Sequence, residues 1–86
     1  MKIKIVPCNK FSDVGEDKQL LKIVSELAEV IKASESGNIM DCAHECADLA
    51  TAAVSHMRFV LGFSEKHIKD VFNSVNEKNK RRGYHS

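Results

Sequence analysis

The sequence predicts an all-α fold, with three main helices in a single domain over residues 1–86. Apolar residues recur at helical spacing in three separate segments. Short turns that contain glycine or serine separate these segments, and the one proline precedes all of them. With 43% hydrophobic residues and a formal net charge of +1, the composition is that of a small water-soluble domain.

The chain begins with an arm, residues 1–16, for which we expect extended backbone. Lys2 and Lys4 alternate with Ile3 and Ile5, which is the period of a strand, before a proline interrupts the pattern. This alternation is too short to specify a sheet. It indicates a weak strand or an extended arm.

The first helix is predicted from about Asp17 to Ala33. Its apolar residues cover roughly half of the helix circumference. They are Leu20, Leu21, Ile23, Val24, Leu27, Ala28, Val30 and Ile31. The opposite half is polar, and a turn at Ser34, Ser36 and Gly37 is expected to end the helix.

Two further helices follow, each with a capping residue. Asn38 is placed to cap the second helix, which is predicted to run to Leu61 before Gly62 stops it. Ser64 caps the third helix, which has an acidic residue in its first turn. The apolar stripe of this third helix consists of Ile68, Val71, Phe72 and Val75. A basic tail occupies residues 77–86.

Two acidic pairs have the same internal spacing: Glu26 with Glu29, and Glu45 with Asp48. A three-residue step on a helix places both side chains of a pair on one face. If the two helices lie side by side, four carboxylates converge, and protons or a divalent cation must neutralise them. Oxygen-only ligands favour Mg²⁺ or Mn²⁺, whose other ligands are commonly waters and substrate phosphates.

The two pairs differ in how strongly they indicate a site. Glutamates on the polar side of an amphipathic helix, such as the first pair, are commonly solvated. Asp41, Glu45 and Asp48, in contrast, share a stripe of the second helix that continues into Ala52 and Phe59. Because solvent-facing stripes rarely turn apolar, we expect another helix or subunit to cover these carboxylates.

The same segments resemble a known family. SELAEVIKA, HECADLATAAVSH and VNEKNKRRGY are similar to the MazG-like all-α nucleoside triphosphate pyrophosphohydrolases, which include short phage-type members. The resemblance extends from about Leu20 to Tyr84. In that family an ExxE helix and an ExxD helix coordinate Mg²⁺, and a later helix brings an asparagine and basic residues to the nucleotide. Larger members have an extra helix before ExxE, where this chain has only the arm.

The resemblance implies Mg²⁺- or Mn²⁺-dependent hydrolysis of a nucleoside triphosphate to the monophosphate and pyrophosphate, as in nucleotide-pool house-cleaning. The implied metal ligands are Glu26, Glu29, Glu45 and Asp48. Glu29 and Glu45 are the candidates for activating water, and the sequence does not choose between them. The implied substrate-binding residues are Asn76, Lys78, Arg81 and Arg82.

Other interpretations remain open at this point. ECADL followed by His56 is also similar to phosphoribosyl-ATP pyrophosphohydrolase, which shares the chemistry but not the substrate. A non-catalytic helical interaction module is a third possibility. The basic tail permits nucleic-acid binding, but the near-neutral chain makes nucleic acid an unexpected partner. Cys42 and Cys46 permit zinc, although small buried cysteines are ordinary core residues.

The predicted helices carry more apolar surface than one chain of three helices can bury. Ile23 and Val30 widen the apolar arc of the first helix, and the mixed stripe of the second helix requires a cover. We therefore expect a four-helix core completed by dimerisation, with a homotetramer as the larger alternative. No apolar run reaches the length of a membrane span, so a cytoplasmic protein without a membrane partner is expected.

Overall fold

The computed structural model describes residues 2–8 and 16–83. It contains three helices, α1 (Glu16–Ser36), α2 (Ile39–Phe59) and α3 (Glu65–Arg81), and no strand among the described residues. The all-α prediction is therefore confirmed. Residues 2–8 form neither helix nor strand, as expected for an arm. The rest of the predicted arm before α1 and the last three residues of the predicted tail lie outside the described residues.

The connection between α1 and α2 is shorter than the sequence predicts. α1 continues through Ser36 instead of ending at Ala33, and the Ser36 hydroxyl donates to the Ala33 carbonyl at 2.7 Å within the last turn. Gly37 then adopts a φ of 77°, which glycine reaches without steric cost. The side-chain oxygen of Asn38 accepts from the Asp41 N–H at 3.0 Å, so the predicted cap is confirmed. So short a link makes α1 and α2 antiparallel neighbours.

A glycine near the end of α2 and a capping serine at the start of α3 also act as the sequence predicts. α2 ends at Phe59, two residues before the predicted Leu61, and Gly62 turns the chain with a φ of 74°. Ser64 caps α3, because its hydroxyl oxygen accepts from the His67 N–H at 3.2 Å. α3 packs on α2 and buries Ile68.

The orientation of α1 is the unexpected feature of the fold. The face of α1 that packs on α2 includes Gln19 and Glu26, whose exposed fractions are 1% and 8%. The apolar residues Leu21, Val24 and Ile31 instead remain exposed. An amphipathic helix ordinarily turns its apolar face toward the core. In this chain the boundary between the two faces of α1, and not the centre of its apolar arc, meets α2.

Within the described part of the arm, Cys8 forms a hydrogen bond to Ser55 of α2. The Ser55 hydroxyl accepts from the Cys8 N–H at 2.9 Å and donates to the Thr51 carbonyl at 2.7 Å. Ser55 has no exposed surface, whereas Cys8 is exposed, so the hydrogen bond between them is partly buried.

Substitution of Ser55 by alanine should therefore release the arm. The Cys8 N–H loses its acceptor, and we expect the free energy of unfolding in urea to fall by about 0.5–1.5 kcal/mol, the net contribution of one hydrogen bond. Hydrogen exchange at the Cys8 amide should become faster. Ser25→Ala, on an exposed part of α1, is the matched control and should change stability by less than about 0.5 kcal/mol. Equal effects of the two substitutions would show that the arm is not anchored by Ser55.

Candidate metal centre

Three of the four predicted metal ligands come together between α1 and α2. One carboxylate oxygen from each of Glu26, Glu45 and Asp48 lies within 4.8 Å of the other two. Glu26 is buried, Glu45 is half-buried and Asp48 is exposed. The antiparallel arrangement explains the meeting, since Glu26 and Asp48 stand at similar distances in sequence from the turn. We call these three residues the acidic trio.

Glu29, the fourth predicted ligand, lies beside the acidic trio and not within it. It lines a shallow depression of about 240 Å³ together with Glu45 and with residues from the ends of both helices nearest the turn. The other lining residues are Lys32, Ala33, Ser36 and Asp41. The negative charge of Glu29 acts on Glu45, so both carboxylates belong to one electrostatic cluster.

The crowding of carboxylates raises the pKa of Glu45. Burial raises the pKa of its carboxyl group, and the charges of Asp48, Glu29, Glu26 and Asp41 raise it further, in that order. All of these causes disfavour the ionised form. At neutral pH the folded chain therefore holds Glu45 in a site that favours protonation or a cation.

Lys22 supplies a positive charge at the edge of the acidic trio. Its ammonium nitrogen lies 2.6 Å from Glu26 Oε1, one helical turn away on α1. The hydrogen bond to Glu26 is the main reason that the pKa of Lys22 is raised, and the charge of Asp48 adds to the effect. The sequence interpretation missed Lys22, although its four-residue spacing from Glu26 is a recognisable signal. The positive charge of Lys22 partly neutralises the carboxylates of the acidic trio.

The predicted substrate-binding residues lie on α3 and at its end. Asn76, Lys78, Arg81 and Arg82 are all exposed. None of them lines the depression beside Glu29, and none is among the charges that shift the pKa of Glu45. Within a single chain these four residues are thus available to solvent and ligands, but they do not contribute to the electrostatics of the acidic trio.

The two cysteines of α2 belong to a different surface. Cys42 and Cys46 line a second shallow depression, of about 280 Å³, beside the α1–α2 turn. Burial raises the pKa of Cys42, and the neighbouring Cys46 raises it further through its charge and a hydrogen bond. Zinc binds the thiolate, so a raised pKa opposes zinc binding at this position.

Comparisons with protein-family models, with curated proteins and with solved structures found no match to this chain. The resemblance to the MazG-like enzymes therefore remains an interpretation of the motifs, and the acidic trio must be judged by its own chemistry. Its donors are all carboxylate oxygens, which suit hard cations such as Mg²⁺ and Mn²⁺. No helix among the described residues is long and apolar enough to cross a membrane.

The first prediction for this site concerns pH in the absence of divalent cations. Because the folded-state pKa of Glu45 is raised, its contribution to stability is fully present below the unfolded pKa, near 4.3, and is lost as pH rises through the folded pKa. Glu45→Gln keeps a neutral side chain at every pH. Relative to wild type, this variant should therefore gain stability between acidic and neutral pH in urea titrations.

The matched control is Glu35→Gln, an exposed glutamate at the end of α1 and outside the acidic trio. It should show the same pH dependence as wild type. If Glu45→Gln also follows wild type across this range, the carboxylate at Glu45 is not held in an unfavourable environment.

The second prediction concerns cations. Convergent carboxylates repel one another, so a divalent cation should bind the native state selectively and stabilise it. At a free Mg²⁺ or Mn²⁺ concentration about a hundred times the dissociation constant, the gain is roughly 2.7 kcal/mol by mass action. Thermal unfolding with chelator, with either cation, and with a monovalent salt of equal ionic strength measures this gain.

Glu45→Gln should reduce the response to divalent cations, while Glu35→Gln should keep it. A wild-type response no larger than that to the monovalent salt would mean that the acidic trio does not bind a metal.

Proposed function

We propose that this chain is a Mg²⁺- or Mn²⁺-dependent nucleotide pyrophosphohydrolase, which converts a nucleoside triphosphate to the monophosphate and pyrophosphate. The observation that carries the proposal is the convergence of carboxylate oxygens from Glu26, Glu45 and Asp48, contributed by two different helices. Glu26 is far in sequence from Glu45 and Asp48, so the fold, and not proximity in sequence, brings the three carboxylates together. We further propose that the protein acts on a cytoplasmic nucleotide pool.

The donor set matches the needs of phosphoanhydride hydrolysis. A bound Mg²⁺ or Mn²⁺ would neutralise phosphate oxygens and lower the pKa of an attacking water. Glu26, Glu45 and Asp48 are the residues that would hold it, and Glu29 lines the depression next to Glu45. Since Lys22 already places a cation beside Glu26, the buried carboxylate does not depend on the metal alone for neutralisation.

Two carboxylates are proposed for the proton transfer from water. Glu45 has a raised pKa, which makes it a better base than an ordinary glutamate once it is ionised. Glu29 stands outside the acidic trio and lines the open depression next to Glu45, where a water molecule has access. Its position outside the acidic trio favours Glu29 as the base, with Glu45 as a metal ligand.

The basic residues at the end of α3 are proposed to hold the phosphate chain. Lys78 and Arg81 are three residues apart on one helical face, and arginine grips phosphate oxygens through two parallel hydrogen bonds. Arg82 adds charge at the helix end, and Asn76 is proposed to donate to the sugar or base. Their exposure leaves all four side chains free to move onto a ligand.

The test is a screen of nucleoside triphosphates with Mg²⁺ or Mn²⁺ and direct identification of products. We expect monophosphate and pyrophosphate in equal amounts. Glu45→Gln and Asp48→Asn should each lower turnover by about a hundredfold or more, the scale of a lost electrostatic contribution to the transition state. Glu65→Gln, at the exposed start of α3, should retain wild-type turnover.

Different products point to different functions. Orthophosphate and diphosphate would contradict the proposed bond cleavage. Hydrolysis of phosphoribosyl-ATP in preference to every nucleoside triphosphate would assign the biosynthetic alternative. An absence of turnover, with the metal response intact, would leave a metal-binding helical module without this activity.

A further inference from the structure

Cys42 and Cys46 form a pair of neighbouring thiols on α2. They are four residues apart, about one helical turn, so both side chains lie on the same side of the helix. Cys42 is half-buried and Cys46 is exposed. The two thiols are close enough to form a hydrogen bond with each other. We call these two residues the thiol pair.

The thiol pair lines the depression of about 280 Å³ beside the α1–α2 turn. The rest of the wall comes from the end of α1, the turn and the start of α2. It consists of Ala33, Ser34, Gly37, Asn38, Ile39 and Ala43. None of these six residues has a charged or imidazole side chain, and the side-chain oxygen of Asn38 already accepts from the Asp41 N–H. The strong metal donors of this depression are therefore two sulfurs.

The spacing of the thiol pair is too wide for a relaxed disulfide. The Cβ atoms of residues four apart on a helix are separated by about 5–6 Å, whereas a disulfide requires about 3.5–4.5 Å. A direct bond between the sulfurs would therefore distort the start of α2. One metal ion between the two sulfurs removes this mismatch. With metal–sulfur bonds of about 2.3 Å each, a linear unit of sulfur, metal and sulfur spans about 4.6 Å.

We propose that the thiol pair is a binding site for one Cu⁺ ion, held by the two sulfurs of a single chain. Thiolates are soft ligands, and they select Cu⁺ over hard cations. On binding, each thiol releases its proton to solvent, and each sulfur donates an electron pair to the ion, which remains in the +1 state. Because both ligands come from one helix, the site needs no second chain.

Zinc fits this site less well than Cu⁺ does. Zn²⁺ takes three or four protein ligands, and the depression supplies two strong donors. Burial also raises the pKa of Cys42, so the release of its proton costs free energy whichever metal binds. Two strong bonds between sulfur and a soft ion offset this cost without further ligands.

The thiol pair is separate from the acidic trio, although Cys46 directly follows Glu45 in the sequence. Successive residues of a helix point about 100° apart, and Cys46 and Glu45 line different depressions. Carboxylate oxygens suit Mg²⁺, and sulfurs suit Cu⁺. Either proposed site can therefore be wrong without affecting the other.

The affinity for Cu⁺ is measured without oxygen, by competition with the coloured Cu⁺ chelator bicinchoninate. The wild-type protein should take one Cu⁺ per chain from the chelator, and excess Mg²⁺ should not release it. Cys46→Ser should raise the Cu⁺ dissociation constant by about a hundredfold or more, because the second sulfur no longer binds the same ion. Cys8→Ser, the matched control, removes the exposed cysteine of the arm and should leave the constant unchanged.

A further variant keeps the number of thiols and changes only their spacing. In the Cys8→Ser background, Cys46→Ser is combined with Ala47→Cys, which moves one thiol along the helix by one position. Residues 42 and 47 point about 140° apart around the helix, so their sulfurs cannot share one ion without unwinding it. This variant should bind Cu⁺ as weakly as Cys46→Ser does.

Alkylation of the wild-type protein tests the site without any substitution. One equivalent of Cu⁺ should slow the reaction of iodoacetamide with Cys46 but not with Cys8, which is also exposed. Peptide mass spectrometry measures both rates. The proposal is wrong if Cu⁺ protects the two cysteines equally, if the variant with the moved thiol binds as tightly as wild type, or if one Cu⁺ serves two chains.

Discussion

The packing of a buried carboxylate between α1 and α2 determines the rest of this structure. Glu26 is 8% exposed, and leaving an ionised carboxylate unpaired at that depth costs several kcal/mol. Lys22 offsets part of this cost through a contact of 2.6 Å. The remaining crowding is visible at Glu45, whose pKa is raised by burial and by four other carboxylates. The helix pair thus encloses a cluster of carboxylates whose mutual repulsion opposes folding unless protons or a cation reduce it.

The orientation of α1 has a second consequence, on the opposite side of the helix. Full burial of one leucine or valine side chain contributes about 1.5–3 kcal/mol. Leu21, Val24 and Leu27 are 66%, 61% and 48% exposed, so about half of this contribution is forgone at each of them. A roll of α1 by about a third of a turn would bury these side chains and expose Glu26. The observed orientation therefore leaves apolar surface in water, and the contacts of the opposite face with α2 must offset that cost.

The sequence predicts the helices well but not the rotation of α1. Asn38, Gly62 and Ser64 are local signals, and each acts where the pattern places it. Rotation is a tertiary property. The amphipathic pattern of α1 predicts that the centre of its apolar arc meets α2, whereas the boundary of that arc does. Helix rotation also explains why Glu29, one of the four predicted metal ligands, lies outside the acidic trio. The same acidic spacing on two helices does not reveal which members meet, since that depends on how far each helix is turned.

The proposed metal centre depends on the observed rotation of α1. Glu26 lies beside Glu45 and Asp48 only while this face of α1 meets α2. A divalent cation bound by the acidic trio would favour the same rotation, since it would reduce the penalty for burying Glu26. Metal binding should therefore shift α1 toward the observed rotation, because a ligand favours the conformation that binds it better.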